Sequence, residues 1–277
     1  MDKFEVDLVG KIGSMALICK QDNDIDYNIF RRLSLQLRPG MIWVSSGATE
    51  IGRLDYMKRN GGAELAGDIE EVKADYAAQG QSILMETYRR FIPHEYSVRQ
   101  VLVEHQHFNS PEKREHIRSM LLRATRQNAI PIVNYNDPVS SEENRKLELN
   151  ILRNNGNGEV VECIDNDETA AVIAELVHAR LLIIMTSVDG IYEDPCDPKT
   201  LAREVTGSDP DELESEIRKL QACCNGASRR GSGGARAKLE YIIPVVRKGT
   251  TVIIGNAHYT LDDLVNSRVP HTRIGIR

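Results

Sequence analysis

Leu181-Leu182-Ile183-Ile184-Met185-Thr186-Ser187-Val188-Asp189-Gly190 is the stretch that decides the architecture. Five apolar residues in a row show no inside–outside alternation, so a strand made from them needs cover on both faces. That is the condition of a parallel sheet flanked by helices. Before it, Thr169–Ala179 is a compact apolar segment that reads as a helix. After it the chain empties into a small polar loop. Helix, buried strand and polar loop form one unit, and outward along the chain the unit recurs.

Val6–Val9 reads as a strand running into Gly10-Lys11-Ile12-Gly13-Ser14. Met41–Val44 leads into Ser45-Ser46-Gly47-Ala48, and Ile130–Val133 into Asn134-Tyr135-Asn136-Asp137-Pro138. Helical spacing occupies Ile25–Leu37, with Ile29, Leu33 and Leu37 on one face, and Glu71–Phe91. Ser110-Pro111 is a helix start, a hydroxyl N-cap followed by proline at the first helical position. Asp211–Cys223 and Ala235–Arg247 complete the helices. Ser97–Val103, Thr251–Ile254 and Arg273–Ile276 read as further strands. Ser140–Gly158 is polar and ends in the turn residues Asn154-Asn155-Gly156-Asn157-Gly158, so it reads as a surface excursion or hairpin. Such alternation predicts an α/β protein, with a mainly parallel sheet between two helical layers. In sheets of that kind ligands gather at the carboxyl ends of the strands, where four of these polar loops fall together.

Composition narrows the function. Charged residues make up 27% and hydrophobic ones 41% of 277 residues, ordinary for a folded globular chain rather than a disordered one. The apolar runs are far too short to span a membrane. Lys+Arg 35 against Asp+Glu 41 gives a net charge of −6, which disfavours a nucleic-acid partner. The start, Met1-Asp2-Lys3-Phe4-Glu5, does not read as a secretory signal. Five cysteines without a CxxC pair fit reduced thiols, hence a cytoplasmic setting.

Several nucleotide motifs are missing. The chain has no GxxxxGK[ST], no GxGxxG after a strand, no protein-kinase signature and no GxSxG. His105-Gln106-His107 lacks a third nearby ligand, so it reads as structural, and no metal ligands are assigned.

What remains are dispersed loops suited to anionic chemistry. Lys11 stands between Gly10 and Gly13, and glycine lets backbone approach a ligand closely. Gly231-Ser232-Gly233-Gly234-Ala235-Arg236-Ala237-Lys238 joins a glycine-rich loop to a helix start, a nest for phosphate with a lysine beside it. Asp167 precedes the helix Thr169–Ala179, where an aspartate can also act as an N-cap.

Together with Val44–Ala48, Gly80-Gln81-Ser82, Asn134–Asp137, Asp165-Asn166-Asp167 and Thr186–Tyr192, these segments resemble the amino acid kinase family, closest to its glutamate 5-kinases. The order and spacing of the motifs carry the resemblance over nearly the whole chain. It implies a three-layer αβα sandwich over residues 1–277 as one domain. An acceptor-binding lobe would span about residues 1–160, and a nucleotide-binding lobe about 161–277. By the same resemblance, Lys11, Lys238 and Asp167 are the catalytic residues, the lysines following the migrating phosphoryl group and Asp167 orienting them. Ser46, Gly47, Asp137 and Asn166 would hold the acceptor. Lys11, Gly13, Thr186, Ser187, Tyr192, Ser232, Gly233, Gly234 and Lys238 would bind ATP, with Mg²⁺ carried largely by its phosphates.

The implied reaction moves the γ-phosphoryl group to the side-chain carboxylate of glutamate, the first step toward proline. The alternatives are another small acid or phosphate acceptor, or a non-catalytic nucleotide or oxyanion sensor. A homo-oligomer is a further implication. The sequence departs from the glutamate 5-kinase pattern at Tyr135, in place of glutamate, and at Ala235-Arg236-Ala237, in place of Met-x-Thr. Many glutamate 5-kinases also carry a C-terminal RNA-binding-like domain, for which 277 residues leave no room.

Overall fold

The long apolar run does lie in the middle of a sheet. The computed structural model describes residues 3–140, 142–155, 160–163, 165–194, 196–224 and 234–277. In chain order its elements are β1 (Val6–Ile12), β2 (Ile18–Cys19), β3 (Asp24–Ile25), α1 (Tyr27–Ser34), β4 (Met41–Ser45), α2 (Ala48–Arg59), α3 (Ile69–Phe91), β5 (Ser97–Val103), α4 (Gln106–Asn109) and α5 (Pro111–Arg126). There follow β6 (Ala129–Tyr135), α6 (Glu142–Asn155), α7 (Asn166–Leu176), β7 (Ala179–Thr186), β8 (Glu204–Gly207), α8 (Pro210–Cys223), α9 (Gly234–Arg247), β9 (Thr251–Asn256), α10 (Leu261–Val265) and β10 (His271–Ile276).

Eight strands form one sheet in the order β5-β6-β4-β1-β7-β9-β10-β8, and β2 and β3 make a separate small ribbon. Every pairing in the large sheet is parallel except β10 with β9. One apolar layer joins Leu8, Trp43, Leu181 and Ile183 to residues of α1 and α3. The other joins Val9, Val44, Leu182 and Ile184 to α5, α7, α8 and α9. Alternate residues of β1, β4 and β7 therefore serve opposite layers, which is why those strands carry unbroken apolar runs. The parity also aims a side chain. Lys11 falls on the face of Val9, toward α7 and α9, in register with Val44 and Ile184.

Several expectations need correcting. Ser140–Gly158 is not a hairpin: its described part is the helix α6, which buries Leu149 while leaving Leu147 and Ile151 exposed. Residues 156–159 lie outside the described residues. Ile25–Leu37 is shorter than its periodicity suggested, because Ile25 belongs to β3 and the helix begins after the Asp26 cap. Helix α2 has no strong apolar pattern, since its buried positions include Ala48 and Gly52. It is held by close approach to α3. A Cβ on Gly52 would lie 1.8 Å from the Tyr76 carbonyl oxygen, and one on Gly80 the same distance from that of Ala48. Only glycine permits two backbones to meet this closely. Among the described residues no helix is long and apolar enough to cross a membrane.

Candidate active site

Lys11 is a residue of β1 rather than of the loop beyond it, and it is 7% exposed. Gly10 serves packing: a Cβ there would sit 1.9 Å from the Trp43 ring, on the face away from Lys11. Gly13, by contrast, has ordinary spacing around it and borders the cavity described below.

Asp167 is 3% exposed, near the start of α7. The capping of that helix falls to Asp165, whose Oδ1 accepts the backbone N–H groups of Asp167 at 2.9 Å and Glu168 at 3.0 Å. The Asp167 carboxylate is thereby left to side chains. Its Oδ1 is 2.6 Å from Lys11 Nζ and its Oδ2 is 2.5 Å from Lys238 Nζ, the latter reaching in from α9. Burial pushes the Asp167 carboxyl up, but the two ammonium groups outweigh it and hold it below the usual carboxylate range. Asp165 moves the other way, raised by burial and by the charge of Asp167. Two ammonium groups thus share one buried carboxylate.

Beside it runs a chain of amides. Asn166 Nδ2 donates to Ser46 Oγ and to Asn134 Oδ1, each at 3.1 Å. Asn134 Nδ2 in turn donates to Gln81 Oε1 at 2.8 Å. These contacts join the loop after β4, the end of β6, the start of α7 and the middle of α3. Asn166 Oδ1 is buried with no hydrogen-bond partner among the described residues, an acceptor still to be satisfied. Gly47, at φ +109°, turns the chain into α2, whose first N–H groups have no side-chain cap.

All of this opens into one cavity of about 670 Å³. Lys11, Lys238, Asp167, Asn166, Ser46, Gly47, Asp137, Gly13, Thr186 and Ser187 line it, so ten of the residues singled out from sequence come together. Asp137 follows β6, and no hydrogen bond satisfies its carboxylate among the described residues. Burial raises its pKa to about 6, with Arg145 of α6 opposing the rise. Thr186 Oγ1 is engaged within its own loop, bonded to both N–H and C=O of Val188 at 3.0 Å. Tyr192 is not among the lining residues; it forms a β-bridge with Leu201. Gly234 opens α9 at φ +62°, and Ser232 and Gly233 lie outside the described residues.

Some of the site was missed from sequence. Glu50 and Lys73 line the cavity, although neither sits in a recognisable motif; only the apposition of α2 and α3 brings them there. The amide chain had a weak signal in Gly80-Gln81 and Asn134, but nothing local pairs residues so far apart. His105 is buried with Nε2 2.9 Å from Glu148 Oε2 on α6, and no cluster of three metal-ligating side chains occurs among the described residues.

A model described as the amino acid kinase family matches residues 8–256. A glutamate 5-kinase of Xanthomonas oryzae pv. oryzae (strain MAFF 311018) is 33% identical over 239 residues, covering 84% of this chain and 58% of that protein. One from Enterococcus faecalis (strain ATCC 700802 / V583) is 30% identical over 259 residues, covering 90% and 86%. The chain thus spans less than two thirds of the Xanthomonas protein. Among solved structures, the carbamate kinase of Giardia lamblia bound to AMP-PNP aligns with a TM-score of 0.59 at 13% identity, over 98% of both chains. The UMP kinase of Ureaplasma parvum aligns at 0.53 and 12%, over 99% of this chain and 100% of that one. At those identities the likeness is one of fold.

Proposed function

The chain belongs to the amino acid kinase family, and from that premise we propose that it transfers the γ-phosphoryl group of ATP to the side-chain carboxylate of glutamate. The observation that carries this reading is the convergence of Lys11 and Lys238 on Asp167 in one cavity.

An acceptor carboxylate and a nucleotide phosphate repel each other. Transfer therefore requires fixed positive charge on either side of the migrating PO₃ group. Asp167 holds both ammonium groups in position before any substrate arrives, so little reorganisation is needed at the moment of reaction. A carboxylate is already ionised near neutral pH and needs no general base. Among the described residues, no histidine lines the cavity. The unsatisfied carboxylate of Asp137 and the Asn166 Oδ1 suit an ammonium group, while Ser46 Oγ and the free N–H groups at the start of α2 suit a carboxylate. On this reading the amino acid binds on the β4 and β6 side of the cavity, and the nucleotide on the β7 side with Gly13, Thr186, Ser187 and the chain leading to Lys238. Tyr192, Ser232, Gly233 and Gly234 are proposed for the nucleotide on the resemblance alone. The lysine pair and the cavity's size suit the triphosphate, and Mg²⁺ would be carried by the phosphates, lowering their charge.

ADP release measured with glutamate, aspartate, acetylglutamate, carbamate and UMP as acceptors tests the proposal. Glutamate should dominate. Preference for another acceptor would move the chain to a different specificity on the same fold, and ATP binding without any turnover would make it a sensor.

A further inference from the structure

Three lysines line the cavity among the described residues: Lys11, Lys238 and Lys73. The first two share Asp167 and belong to the phosphoryl group. Lys73 rises from the N-terminal part of α3 and has a different setting. Its ammonium lies 2.7 Å from Glu70 Oε1, one turn earlier on the same helix, with the two side chains 57% and 46% exposed. An exposed pair of this kind contributes almost nothing, so a better-placed carboxylate displaces Glu70 at little cost.

The neighbouring acid does not compete for it. Glu50 also lines the cavity, but Arg53 clamps it at 2.7 Å and 3.1 Å through two nitrogens. Arg53 also bonds Glu64 Oε1 at 2.6 Å, so Glu50 is held by a shared guanidinium, and the start of α2 offers its uncapped N–H groups to the same opening.

Glutamate brings three charges into the site. Its ammonium matches Asp137, and its reacting carboxylate must face the Lys11 end of the cavity. The second carboxylate still needs a cation, and Lys73 is the lining cation that the phosphoryl centre does not use. We propose that Lys73 binds the carboxylate of the acceptor that does not react, and so selects amino acids with two acid groups over those with one. The inference rests on the reading of glutamate as acceptor.

Steady-state kinetics of Lys73→Met and Lys73→Arg with L-glutamate, and with 4-aminobutyrate, which lacks that carboxylate, test it. In Lys73→Met the glutamate KM should rise roughly 10–100-fold, the loss expected for one charge-assisted contact. Its kcat should fall by less than about threefold, and preference for glutamate over 4-aminobutyrate should drop with the KM effect. Lys73→Arg should recover most of the loss, which a merely structural role would not require. A glutamate KM in Lys73→Met equal to that of the wild type, or a loss confined to kcat, overturns the inference and leaves the kinase reading standing. A wild-type enzyme that turns over another acceptor and not glutamate overturns both.

Discussion

Two carboxylates of this molecule, Asp167 buried and Asp137 half-buried, have opposite surroundings. Asp167 is enclosed by two ammonium groups within 2.6 Å and stays ionised well into acid. Asp137 borders the same cavity with no hydrogen bond to satisfy it among the described residues, and its pKa is pushed up to about 6. The first region is complete before substrate arrives, because a preorganised field must be in place when charge moves. The second has its desolvation cost uncompensated, as expected of a group that waits for a cation from outside. On the proposed reading, rigidity at the reacting phosphorus and unmet demand at the acceptor are two halves of one site.

The sharpest way to break this contrast is to remove the completed half. Asp167→Asn leaves two lysines facing each other without their counter-ion, and should cost about 3–5 kcal/mol of stability in urea denaturation. Its kcat should fall by a factor on the order of 10² or more. A variant as stable as the wild type would show that the two lysines do not depend on Asp167 as their counter-ion. Lys11→Ala keeps the Lys238 pair, so its stability should suffer less while kcat still falls about 100-fold; near-normal turnover would remove Lys11 from the reaction.

The proposed acceptor half joins the ends of β4 and β6 to the helices α2 and α3, and Gly52→Ala probes its helical part. The added methyl would meet the Tyr76 carbonyl at 1.8 Å, forcing α2 and α3 apart at a cost of about 1–3 kcal/mol. Because α2 and α3 carry Glu50 and Lys73 into the cavity, acceptor KM should rise more than ATP KM. Equal changes in both would mean that the two halves are not mechanically separate.

Asp137 supplies the subtlest test. Between its ordinary pKa of 3.8 and its folded value of about 6, the folded chain holds a proton that the unfolded chain has released. Stability contributed by this group therefore falls as pH rises through that window, and the full penalty is present above about 6. Asp137→Asn should accordingly stabilise the protein by about 1–3 kcal/mol at pH 7, a gain that disappears below about pH 4. The same substitution should raise acceptor KM. In the wild type, acceptor KM should climb as pH falls through about 6, while Asp167 is still ionised. A flat KM from pH 7 to pH 5 would separate Asp137 from the ammonium.

Much of the fold was legible because burial imprints itself locally. Ser97–Val103 was read with the bounds it has in the structure, and β7 announced itself by its unbroken apolar run. Ser110 does cap α5, accepting the N–H of Lys113. Where the signal was weak, the reading failed. Helix α6 buries too little to show a stripe, and α2 uses alanine and glycine at its contact with α3. The site was legible as residue types on separate loops, and less so as roles. Gly10 accommodates Trp43, and Asp165 rather than Asp167 caps α7.

By itself the sequence determined the alternation of strands and helices, and from it the parallel sheet whose carboxyl ends gather the polar loops. Local periodicity suffices there, because each segment's burial is set by its own side chains. Only the tertiary structure decided that Lys11 and Lys238, from opposite ends of the chain, share the two oxygens of Asp167. It also decided that Asp137 has no hydrogen bond from the described residues and that Lys73 joins the cavity. Those outcomes depend on strand order, on the parity of β1 and on how closely two glycines let α2 and α3 approach, which are properties of the packed molecule and of no single segment.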